Sequence, residues 1–205
     1  MLYLSHKETV TKVLGPGRRY VLWTQGCKKN CRGCIFPAGR NLNSGGEWIS
    51  IEKLFAEIKI SAEKNSLTGI TISGGEPFLQ PAALARLVYF VRKETLLDVM
   101  IFSGYRLEEL QRRNDKATNF LLENVDLLID GEYIENLNTN TIYRGSENQR
   151  VHFLSKKYLP FKKKIEQTKN RSIEFVSKED GELFMIGVPP KDFEKKFLEN
   201  IFGEV

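Results

Sequence analysis

The chain has 205 residues, 41% hydrophobic and 28% charged, the profile of one compact domain with enough apolar residues for a sizeable core. Thirty-one basic against 26 acidic residues leave a formal charge of +5, too small a bias to demand nucleic acid, and no apolar run reaches the roughly 18 to 20 residues that span a bilayer. Met1 to Val10 lack a basic-then-apolar leader pattern, so the expected setting is cytoplasmic, with neither membrane nor nucleic acid as partner.

In chain order, the turn Gly15-Pro16-Gly17 leads into Tyr20 to Gln25, whose aromatic and β-branched residues predict a strand that ends at Gly26. Ser50, Glu52 and the apolar set Ile51, Leu54, Phe55 and Ile58 predict a capped amphipathic helix to about Glu63, followed by a short buried strand over Gly69 to Ser73. Pro81 opens a second helix that carries Leu84, Leu87, Val88 and Val91 on one side; Asp98 to Ser103 is the next strand. Leu107 to Arg113 reads as helix and Val125 to Asp130 as strand. Further strands are predicted at Arg150 to Ser155, Ser172 to Ser177 and Glu182 to Val188, with a closing helix over Lys191 to Phe202.

Alternating strand and helix signals imply an α/β fold of mostly parallel strands joined by right-handed crossovers, with ligands at the carboxyl ends of the strands. Some 200 residues are few for an eight-unit barrel, so a partial barrel is expected. The chain then reads as a single domain over residues 1–205, with a core over about 15–155 and C-terminal strands and helix over 156–205.

All three cysteines stand in Cys27-Lys28-Lys29-Asn30-Cys31-Arg32-Gly33-Cys34, a C-x3-C-x2-C loop just after the first predicted strand. Thiolates favour soft metals and iron–sulfur clusters, and one tight loop can wrap three corners of a cubane and leave the fourth iron open. The alternative, structural zinc, needs a fourth ligand, and His6 and His152, the only histidines, have no finger-like spacing from the cysteines. At the end of the second predicted strand, Gly74 and Gly75 permit close backbone approach, and Glu76 offers an acceptor suited to an ammonium group. Ser103 and Asp130 close later strands and are expected at the same mouth; a turn residue before Gly131 is the other reading of Asp130.

Gly26-Cys27 through Cys34 together with Ser73-Gly74-Gly75-Glu76-Pro77 resembles the radical S-adenosylmethionine superfamily, whose fold implies a partial (β/α)6-type barrel here. Gly15-Pro16-Gly17-Arg18, Phe102-Ser103-Gly104-Tyr105, Ile129-Asp130-Gly131-Glu132-Tyr133 and Arg144 through Arg150 extend the likeness, from about Gly15 to Pro189, to the activating components of anaerobic ribonucleotide reductases. The resemblance implies a [4Fe-4S] cluster on Cys27, Cys31 and Cys34, with S-adenosylmethionine chelating the open iron. Reductive cleavage would yield methionine and a 5′-deoxyadenosyl radical that abstracts hydrogen. It implies cofactor contacts from Gly33, Cys34 and Ile35, the methionine moiety against Gly74, Gly75 and Glu76, the ribose near Ser103, and a wall from Asp130-Gly131. The protein substrate implied is a glycyl radical enzyme, anaerobic ribonucleotide reductase. With no second cluster motif in the chain, flavodoxin or ferredoxin is the expected electron donor.

Where those activators usually carry an asparagine soon after the last cysteine, this chain has Ile35-Phe36-Pro37 and a Gly- and Asn-rich loop, Ala38 to Glu47, which bears on substrate choice. A ribosomal peptide or a small molecule such as a deazapurine precursor is the alternative substrate, and a noncatalytic metal protein the alternative class. Small size implies a lateral opening for a partner's loop. The basic run Lys156 to Arg171 is expected to be a solvated face, Arg144 and Arg150 either solvated or paired with a carboxylate, His152 a satisfied strand histidine, and Trp23 and Trp48 packing residues.

Overall fold

A computed structural model describes residues 1–177, 181 and 183–203; Glu182, in one predicted strand, lies outside them. The chain forms β1 (Leu2–Thr11), β2 (Arg19–Thr24), β3 (Glu47–Ile49), α1 (Ile51–Asn65), β4 (Gly69–Gly74), α2 (Pro81–Glu94), β5 (Asp98–Ser103), α3 (Leu107–Arg113), α4 (Lys116–Asn124) and β6 (Leu127–Asp130). Then come β7 (Arg150–Phe153), α5 (Lys162–Gln167), β8 (Ile173–Ser177), β9 (Leu183–Gly187) and α6 (Phe193–Phe202). Among the described residues no helix is long and apolar enough to cross a membrane.

Seven strands make one sheet in the order β3-β1-β2-β4-β5-β6-β7, and β8-β9 is a separate hairpin. Strands β2, β4, β5 and β6 run parallel, whereas β1, β3 and β7 are antiparallel to their neighbours. The expected α/β sheet is therefore present with a parallel centre, but only four neighbouring strands pair in parallel, and β1 and β7, which flank them, run the other way. Helix α1 starts as the sequence predicts, with the Ser50 side chain accepting from Lys53 N at 3.2 Å, a serine N-cap that satisfies one orphan amide.

Side chains on a strand alternate between faces, and the alternation explains the two layers. Tyr20, Leu22, Ile70, Ile72, Val99, Ile101 and Leu128 pack with Leu54, Ile58, Leu84, Leu87, Val91 and Leu121 of the helices. The intervening residues face the other way: Val21 and Trp23 meet Leu14 and Ile186, and Met100, Leu127 and Ile129 meet Tyr158 and Ile165. Part of the second face is thus covered by the chain's own segment after β7. Part of the basic run belongs to this cover, since Ile165 and Tyr158 are buried and Arg171 is nearly so. Trp48 departs from its expected packing role: it is exposed on edge strand β3 and stacks on Tyr3 at 4.8 Å.

At the amino ends of the parallel strands, fully buried Arg19 pairs with Asp98 at 2.6 Å and donates to Thr71 Oγ1 and the Ile70 carbonyl, each at 2.6 Å. Tyr158 and Lys157 also reach Asp98, at 2.6 and 2.9 Å. A buried charge left unpaired costs several kcal/mol, so this cluster fixes the closed end of the sheet. The opposite, carboxyl end is left for the cysteine loop.

Candidate cofactor site

The loop carrying Cys27, Cys31 and Cys34 leaves β2 through Gly26 at φ +98° and is stitched to β4. Gly75 N donates to the Thr24 carbonyl at 2.7 Å, Glu76 N to the Gly26 carbonyl at 2.8 Å, and Gly26 N to the Gly39 carbonyl at 2.8 Å. A Cβ on Gly74, at φ +107°, would lie 2.3 Å from Thr24 N, and one on Gly75 2.3 Å from the Gly26 carbonyl oxygen. Glycine is therefore required at both positions by the protein's own backbone, before any ligand arrives.

The three thiols are free and partly buried. Burial pushes the Cys27 and Cys31 thiols up, Lys29 N pulls Cys27 back by donating to its Sγ at 3.3 Å, and Cys27 feels the charges of Cys31 and Cys34. Lys29 pairs with Glu132 at 2.7 Å and lies over the Tyr105 ring, 4.5 Å from its centroid, which ties the loop to the segments after β5 and β6.

Cys31, Cys34, Ile35, Gly74, Gly75 and Ser103 line one cavity of about 170 Å³, so residues far apart in sequence share a mouth at the carboxyl ends of β4 and β5. Gly33 lines an adjoining cavity with Cys34 and Ile35. Ile35 is 38% exposed, an apolar side chain left at the rim. Cys27, Glu76 and Asp130 do not line the first cavity.

Glu76 is buried beneath it: Oε1 accepts from Phe78 N at 3.0 Å and Ser103 Oγ at 2.9 Å, and Oε2 accepts from Gly104 N at 2.7 Å. Burial raises its carboxyl while those three donors pull it back. The side chain thus joins the ends of β4 and β5, and the Ser103 hydroxyl is engaged by it. Asp130, fully buried behind Gly131, accepts from Leu107 N at 2.7 Å and pairs with Arg106 at 3.4 Å, Arg150, and His152 at 2.9 Å. Burial alone would raise the Asp130 carboxyl, but His152, Arg150 and Leu107 N hold it well below the usual range. His152, expected as a satisfied strand histidine, lies on β7 with its Nε2 against Asp130 but without a hydrogen bond of good geometry. Arg150 also binds Glu108 at 2.7 Å, and Arg144 donates to the Glu166 carbonyl at 2.8 Å, so both arginines are engaged within the chain.

Sequence reasoning missed other walls. Tyr133, Gln149, Phe102 and Val188 line the cavity; Gln149 Nε2 donates to the Gly131 carbonyl at 2.8 Å while its Oε1 accepts from Gly145 N at 2.7 Å. The segment Arg144 to Arg150 carried the only sequence signal for Gln149, as part of the family likeness. Trp23 is buried and lines the cavity as well as packing.

The donor set fits an iron–sulfur cluster. Three unoxidised thiols from one loop stand at the strand mouth, the soft donor set that iron–sulfur clusters take. His6 lies 4.0 Å from the Phe184 ring centroid and His152 is at Asp130, and neither lines the cysteine cavities.

Fold and site together define an α/β protein with three thiols of one loop at the carboxyl ends of the sheet's parallel strands. Residues 13–152 match the 4Fe-4S single cluster domain family. The anaerobic ribonucleoside-triphosphate reductase-activating protein of Vibrio cholerae is 33% identical over 147 residues, 68% of this chain and 90% of that protein. Its namesake from enterobacteria phage T4 is 32% identical over 143 residues, 68% and 86% respectively. The pyruvate formate-lyase-activating enzyme of Staphylococcus aureus is 29% identical over 140 residues, 65% of this chain and 54% of that one. The chain belongs to the family of anaerobic ribonucleoside-triphosphate reductase-activating proteins, and its cofactors are a [4Fe-4S] cluster and S-adenosylmethionine.

Proposed function

We propose that this protein is a glycyl radical enzyme activase, and that its substrate is a glycine in an anaerobic ribonucleotide reductase. The observation that carries the reading is the junction of the thiol loop with Gly74, Gly75 and Ser103 around one cavity, in a chain whose relatives are named as activating proteins. When bound, the reduced cluster supplies the electron that breaks the sulfonium–carbon bond of adenosylmethionine, and with it the hydrogen-abstracting power of the site. Cys27, Cys31 and Cys34 would hold the cluster. Gly33 and Ile35 would border adenosylmethionine, the backbone of Gly74 and Gly75 would receive its methionine moiety, and Glu76, by holding Ser103 and Gly104, would shape the part of the site that takes its ribose. Asp130 fixes the wall at Gly131 through Arg106, Arg150 and His152. The apolar walls Trp23, Phe102 and Val188 exclude water and stray hydrogen donors.

In the same reading the four parallel strands are the centre of a reduced radical S-adenosylmethionine barrel and residues 1–205 act as one domain in the cytoplasm. All three cysteines are committed to one loop, which supports an external one-electron donor, flavodoxin or ferredoxin. The test is anaerobic reconstitution followed by reductant, adenosylmethionine and the cognate reductase. A doublet glycyl radical signal on the reductase is expected; 5′-deoxyadenosine without any protein radical would favour a peptide or small-molecule substrate.

A further inference from the structure

Beside the thiol cavity lies a second of about 760 Å³, inside the ~300–1,000 Å³ range of built ligand sites. The two share Cys34, Ile35 and Tyr133, so the larger one adjoins the thiol cavity. One of its walls is the segment after β6, with Glu135, Asn136 and Asn138; the other is Met185 of β9 with Phe193 and Phe197 of α6. That second wall lies beyond residue 152, where the family match ends. Tyr158, Ile165 and Ile186 meanwhile cover part of the second face of the sheet.

Resting on the activase reading, we propose that this second cavity is the access channel for an extended, glycine-bearing segment of the partner polypeptide, and that its C-terminal wall selects the segment. The reacting atom is a backbone carbon, so it must arrive with its neighbouring amides, each needing a hydrogen-bond partner once out of water. Asn136, exposed at the rim, offers a donor and an acceptor. Phe193 and Phe197 stack at 5.3 Å, with Phe175 beside Phe197 at 5.6 Å, and form an apolar shelf for the side chains flanking the glycine. The opposite floor is held by the cysteine loop, where Arg32 pairs with Glu135 at 3.7 Å. Contact with the shelf therefore puts the segment one loop away from the thiols.

The experiment uses the anaerobically reconstituted full chain with intact cognate reductase, and in parallel a synthetic peptide centred on the reductase's radical glycine. Phe197→Ala and Asn136→Ala are compared with wild type for KM, kcat and glycyl radical formed per 5′-deoxyadenosine released. Loss of an anchoring side chain predicts a KM for reductase raised about tenfold, with a matching fall in radical yield per 5′-deoxyadenosine. Phe197→Leu, which keeps an apolar shelf, recovers most of the loss. A variant that merely folds poorly would lose both products in proportion, and that outcome overturns the channel assignment, as does a KM unchanged in both alanine variants. Failure of the wild-type protein to form any radical on the reductase would instead overturn the activase reading.

Discussion

Glu76→Gln isolates the join between the cofactor-side ends of β4 and β5. Both carboxylate oxygens accept a backbone amide, from Phe78 at 3.0 Å and from Gly104 at 2.7 Å, and Oε1 also accepts from Ser103 Oγ at 2.9 Å. Whichever oxygen becomes NH2, a donor then faces a backbone donor in a site with 1% exposure. The loss combines a charge-assisted hydrogen bond, about 1.5–3 kcal/mol, with a buried unsatisfied group, about 1–3 kcal/mol. A total near 3 kcal/mol lowers the melting temperature by about 6–12 °C in a domain of this size. Because Ser103 and Gly104 line the cavity, adenosylmethionine affinity of the reconstituted variant falls about tenfold, equivalent to ~1.4 kcal/mol. Scanning calorimetry and anaerobic titration read the two effects. A variant that melts within about 2 °C of wild type and binds adenosylmethionine equally well would refute the role given to Glu76.

Replacing any one of Cys27, Cys31 and Cys34 with Ala reduces 5′-deoxyadenosine formation to background and lowers bound iron, measured by product chromatography and iron assay. Chelating the iron abolishes the same activity while the far-ultraviolet dichroism is retained, since the sheet core lies apart from the loop. Asp130 has its pKa depressed in the folded state, so its stabilisation is complete above the unfolded value of about 3.9 and drains away as pH falls through the folded one. Acid titration of Asp130→Asn therefore shows a shallower loss below about pH 4, and at neutral pH the variant is about 3 kcal/mol less stable because Arg150, Arg106 and His152 lose their anion. Ile186→Ala, a fully buried contact to Val21 and Trp23, costs about 2–4 kcal/mol and leaves a single denaturant transition; two transitions would show that the C-terminal segment folds separately.

The parallel centre of the fold was legible because its strands and helices carry strong local signals. Asp98 to Ser103 and Leu107 to Arg113 fall on the observed bounds, and Pro81 begins α2. Strand β1 was not legible: after Leu2, Tyr3 and Leu4 it runs through Ser5-His6-Lys7-Glu8, polar residues that are only half-buried beside the sheet edge and mask the alternation. Helix α4 left one usable sign, Asp115, whose side chain accepts from Thr118 N at 2.8 Å. The antiparallel edges depend on pairing between distant segments, which periodicity does not encode.

The cysteine loop was legible because its chemistry is local. The roles of Glu76 and Asp130 were legible only in part, because their partners arrive from other strand ends. The sequence offered Glu76 as an acceptor for a ligand's ammonium, and the fold surrounds it with three protein donors. Arg19 gave no hint of complete burial, since nothing local marks Asp98 as its partner. Trp48 looked like core by residue type but lies on edge strand β3, where its neighbour Ile49 takes the buried face.

The central claim is that three thiolates of one loop hold a cluster that reductively cleaves adenosylmethionine. The most direct measurement is 5′-deoxyadenosine formed by the anaerobically reconstituted protein with a one-electron reductant, normalised to cluster content. The account predicts at least one 5′-deoxyadenosine per cluster in the wild type and none in Cys31→Ala. A protein that carries only zinc, or a full cluster that leaves adenosylmethionine intact, would contradict it.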